Sequence, residues 1–135
     1  MLYLCHVARG LATLHNCNLI HGGIKPSAIY ISDQNVAMLS ELAKMELDAA
    51  RHTGALFSKV LMSEAIPKVM MYWSPEIISQ KPYSPAADIW ALGVTFYQAC
   101  TGEHPFDCND ENVFIDDVMN ARVDWSRLVN HSYIV

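Results

Sequence analysis

Asp88-Ile89-Trp90-Ala91-Leu92-Gly93-Val94-Thr95-Phe96-Tyr97-Gln98-Ala99-Cys100 sets the terms for the rest of the chain. At 3.6 residues per turn its apolar side chains fall on almost every side, so a helix here has no solvent face and belongs in the middle of a core. Ser84 and Asp88 are residue types that cap a helix start, and Gly102 stands just past the end, where a left-handed residue closes the last turn. The weakly polar run from Ile89 to Cys100 is well short of the roughly 20 apolar residues that a bilayer demands.

A buried helix needs partners, and the flanking sequence offers several. Leu4, Val7, Ala8, Leu11 and Leu14 recur at spacings of three and four, which predicts an amphipathic helix to about Asn16. Gly10 inside it costs roughly 1 kcal/mol against Ala, the mark of close packing or an imperfect helix. His21-Gly22-Gly23 interrupts any regular element. Ile29-Tyr30-Ile31 and Val36-Ala37-Met38-Leu39, separated by Ser32-Asp33-Gln34-Asn35, read as a small hairpin. Residues 43–72 show no sustained period and read as a long connection with at most one short helical piece. A further helix is expected over about Glu111 to Asn120.

The 135 residues fit one domain or less, with 52% hydrophobic and 17% charged residues, a composition for a packed core and against disorder. Nine Lys and Arg face fourteen Asp and Glu, a net charge of −5. Seven acids from Glu103 to Asp124 face one base, Arg122, which predicts a solvated face and disfavours nucleic acid as a partner. The N-terminal residues carry neither a basic region nor a cleavage signal, so the expected location is cytoplasmic, with no membrane partner. Cys5, Cys17, Cys100 and Cys108 lack C-x-x-C spacing and are expected as reduced, partly buried thiols. No histidine pair has the spacing of a zinc-hydrolase helix.

Five short stretches add a name to this outline. His21-Gly22-Gly23-Ile24-Lys25-Pro26-Ser27-Ala28 resembles the protein-kinase catalytic loop H-R-D-L-x-x-x-N, and Met38-Leu39-Ser40-Glu41-Leu42-Ala43 the strand and turn ending in D-F-G. Ser74-Pro75-Glu76 is similar to A-P-E, Asp88 to Gly93 to the D-x-W-S-x-G that starts the family's central helix, and Gly102-Glu103-His104-Pro105-Phe106 to the following G-x-x-P-F. Their order along the chain matches the family. The resemblance implies the family's α+β fold, here mainly α: a large lobe of helices around a small β-hairpin. Residues 1–135 would form a partial domain, from the catalytic loop to the region after A-P-E, with the small lobe absent. Lys25-Pro26 resembles the Ser/Thr branch.

The same resemblance exposes losses. The catalytic aspartate, which accepts the substrate hydroxyl proton, stands at Gly23, and the metal-binding asparagine at Ala28; neither side chain holds a proton or an oxygen. The arginine that pairs with a phosphorylated activation loop stands at Gly22. Lys25 survives and would contact a transferring phosphate. Matching Met38-Leu39-Ser40 to the strand puts Glu41 at the D-F-G aspartate, whereas anchoring on Leu42-Ala43-Lys44 would put Leu39 there. On the favoured first alignment Glu41 would offer a longer carboxylate to a cation, making Lys25 and Glu41 the candidate cofactor contacts and Glu41 the candidate metal ligand. His21, Ser74, Pro75, Glu76, Asp88, Trp90 and Gly93 are expected in structural roles, with Asp88 accepting backbone hydrogens from the loop. Glu76, lacking its family arginine, would be costly if buried.

The expectation is therefore a pseudokinase that binds or scaffolds a protein partner and needs no cofactor. Two alternatives stand beside it. One is a noncanonical Ser/Thr kinase that uses ATP and magnesium once a small lobe completes it. The other is a fragment that does not fold stably alone.

Overall fold

The computed structural model describes residues 2–40, 68, 70–82 and 84–129. Helix α1 (Leu2–Asn16) is followed by a 3-10 turn at Pro26–Ala28, strands β1 (Ile29–Ile31) and β2 (Ala37–Leu39), and a second 3-10 turn at Met70–Tyr72. Then come α2 (Pro75–Ile78), the long α3 (Pro85–Thr101), α4 (Glu111–Met119) and the short α5 (Ser126–Val129). The helix-rich architecture with one small antiparallel hairpin is the large-lobe fold class expected above.

Helix α1 buries Val7 and Leu11, one turn apart, against the hairpin. Asn18 takes a left-handed φ of 56° after its end, a conformation that asparagine tolerates, and Leu19 N–H reaches back 2.9 Å to the Leu14 carbonyl. Strands β1 and β2 pair with Tyr30 opposite Met38. His6 Nδ1 accepts from the Ala37 N–H at 3.3 Å, and the Tyr3 hydroxyl donates to Asn35 Oδ1, so α1 is pinned to the hairpin at two points.

Two apolar clusters share α3. Val7, Leu11, Ile24 and Ala37 pack with Ala91 and Leu92 on one side. Met70, Trp73, Ile78, Phe106, Phe114 and Val118 pack with Val94 on the other. The Tyr72 hydroxyl donates to Gln98 Oε1 at 2.8 Å, and the Tyr97 hydroxyl to the Asp124 carbonyl at 2.8 Å, tying both flanks to α3. Helix α4 begins where Asp110 accepts from the Asn112 and Val113 N–H groups at 2.8 and 3.0 Å.

Several expectations need correcting. Ser84 occupies the N-cap of α3 but forms no side-chain cap, and Pro85 supplies a first-turn residue that has no N–H to satisfy. Asp88 lies inside the first turns and faces the loop instead. Gly102 does close the helix, at φ 76°. The helix is not buried all round, since Ile89, Gly93 and Ala99 are exposed. Cys5, on α1, and Cys17, in the turn just past its end, are exposed, whereas Cys100 and Cys108 are half-buried. Gly10 is exposed, and a methyl there would sit 3.9 Å from Leu39 Cδ1, an ordinary contact, so packing does not demand a glycine. Nearly all of the expected 43–72 connection lies outside the described residues, as does Glu41.

Candidate functional site

The candidate site is the loop 21–28 and the groups that hold it. Its shape begins with the Asp88 side chain, 0% exposed on α3. Asp88 Oδ2 accepts the His21 N–H at 2.8 Å and Oδ1 accepts the Gly22 N–H at 2.9 Å. His15, in the last turn of α1, places Nε2 at 2.9 Å from the same Oδ2. A carboxylate taken out of water needs such a set of donors, because an unpaired one costs several kcal/mol. His15 was not picked out by sequence reasoning, and its only sequence signal is one position on the helical stripe of α1.

His21 is the second anchor, 1% exposed. Its Nδ1 accepts the Gly23 N–H at 3.3 Å, which leaves Nε2 to donate to the Ser40 carbonyl at 3.2 Å. Burial holds its pKa below 6.5, opposed by the Asp88 charge and by the Ser40 carbonyl. The ring thus joins the loop to the end of β2 in neutral form. Gly22, between the two anchors, has φ 76°, a left-handed backbone that glycine adopts without a side-chain clash.

Around the far end of the loop, Ala28 is 1% exposed and its methyl group is packed away. The Ala28 carbonyl accepts both the N–H and the hydroxyl of Ser40, at 2.8 and 3.2 Å. Its two lone pairs are therefore spent inside the protein. Lys25 is half-buried with extended backbone, and no carboxylate among the described residues pairs with it. Gly23 and Ala28 bring no side-chain oxygen to the loop, and no cluster of three metal-ligating side chains occurs among the described residues.

Of the remaining sequence candidates, Trp90 packs against the second cluster. Ser74 is fully buried at the start of α2, and its hydroxyl has no hydrogen-bond partner among the described residues. Pro75 opens α2, and Glu76 is half-exposed, so the penalty of a buried unpaired carboxylate does not arise. Trp90 stacks on Phe106, with ring centroids 5.8 Å apart. Gly93 is exposed, and a methyl there would meet nothing within 4 Å among the described residues. Of these residues, His21 and Asp88 are hydrogen-bonded together at the loop; among the described residues no hydrogen bond links Ser74, Pro75, Glu76, Trp90 or Gly93 to it. Glu41 lies outside the described residues.

A second polar node also escaped sequence reasoning. His104 Nε2 donates to the Met71 carbonyl at 2.8 Å, while Nδ1 faces the Phe106 N–H at 3.3 Å and the Cys108 thiol at 3.2 Å. Burial lowers the His104 pKa and, with the Asp107 charge, raises that of Cys108 to about 11, so both groups stay neutral. The node ties the turn before α2 to the turn after α3.

The family model described as protein kinase domain matches residues 1–133. The chain is 27% identical over 133 residues to the striated muscle preferentially expressed protein kinase of Danio rerio, a match covering 93% of this chain and 4% of that protein. It is 28% identical over 123 residues to the serine/threonine-protein kinase Nek5 of Mus musculus, covering 91% and 18%. With Nek5 of Homo sapiens the identity is 31% over 108 residues, covering 80% and 14%. The chain thus spans less than a fifth of the length of these relatives.

Proposed function

The chain belongs to the protein kinase domain family, and on that premise we propose that it is a catalytically impaired member, a pseudokinase, working as a cytoplasmic protein-binding or scaffolding module. One observation carries the reading: the loop is held in place by Asp88, His15 and His21 while the two positions that would do chemistry are Gly23 and Ala28. Loss of a general base alone costs 10²- to 10⁴-fold in rate. A magnesium–nucleotide does not fit Ala28, because its side chain is a buried methyl and its carbonyl is already doubly engaged by Ser40. Phosphotransfer through this loop is accordingly outside the proposal, and no cofactor is part of it.

The partner is a protein. The acidic run from Glu103 to Asp124 repels nucleic acid. No described helix is long and apolar enough to cross a membrane. Gly22 removes the arginine through which phosphorylation orders a kinase activation loop, so this reading has no phosphate-driven switch at that position.

Lys25, without a carboxylate partner among the described residues, is the observation that favours a second reading, a noncanonical Ser/Thr kinase using Lys25 and Glu41 with ATP and magnesium. Incubation with ATP labelled at the γ-phosphate, magnesium and a general acceptor protein separates the two. The pseudokinase reading expects no label above a heat-denatured control. Label that disappears in Lys25→Ala and Glu41→Gln would replace it with the kinase reading.

A further inference from the structure

We draw no further inference here: the strongest candidate, the apolar cavity of about 370 Å³ between α1, β1 and α3, lined by Leu4, Val7, Ile29, Leu92 and Phe96 among others, carries nothing because nothing in the structure shows what covers it.

Discussion

At Asp88, one carboxylate serves two backbone N–H groups and a histidine ring, so its removal leaves several buried donors without an acceptor. Asp88→Ala is expected to cost about 3–5 kcal/mol, from buried donors left unsatisfied at about 1–3 kcal/mol each, read as a lower urea midpoint. Gly22 tests the loop backbone differently. At φ 76° any side chain pushes against the following carbonyl, and Gly22→Ala should cost roughly 1–2 kcal/mol while leaving the core unchanged. The buried histidines set the acid response. His21 and His104 both have native pKa values held below 6.5 by burial, so the unfolded chain binds more protons once the pH drops past that value. Their contribution is intact above about pH 6.5 and declines as the pH falls from there toward the lower native values. Urea titrations at successive pH values should show this decline, and the double variant His21→Gln/His104→Gln should flatten it. The motif letters pointed to His21 and Asp88 for the loop, whereas His15 lies outside the motifs and His104 at a variable position of G-x-x-P-F, and only the packing of distant segments reveals their partners.

Among the elements, hairpin and helices follow from local chemistry. Alternating Ile29-Tyr30-Ile31 and Ala37-Met38-Leu39 sit either side of a polar turn, and Gly102 and Asp110 mark the end of α3 and the start of α4. Exposure is harder to read. The pattern of α3 asks for cover on every side, but it says nothing about which segments supply that cover, and Ile89 and Ala99 remain exposed among the described residues. The two exposed helix glycines turn this into a prediction. Gly10 has only an ordinary contact near a prospective methyl, and Gly93 has none among the described residues. Gly10→Ala and Gly93→Ala should each stabilise the chain by about 0.5–1 kcal/mol, raising the thermal midpoint without altering the fold. Phe114 gives the opposite case, at 0% exposure in the centre of the second cluster. Phe114→Ala should cost about 3–5 kcal/mol, through lost burial and the cavity left between α3 and α4.

For the molecule as a whole, the kinase fold and the proposed loss of kinase chemistry rest on different residues. The apolar clusters on either side of α3 and the Asp88 network keep the family's loop in position. In the proposal, the positions that lack a base and a metal ligand are Gly23 and Ala28, whose side chains carry no oxygen. Chain order and apolar period made the architecture legible, and letters at two positions carry the proposal of lost chemistry. The most direct test of a retained fold without phosphotransfer chemistry is the thermal midpoint of the purified chain, titrated with a nonhydrolysable ATP analogue with and without magnesium. A ligand that binds only the native state must raise the midpoint, by about 2.7 kcal/mol of stability at 100 times its Kd. A cooperative transition unmoved by nucleotide under both conditions is the predicted result, and a magnesium-dependent rise would contradict it.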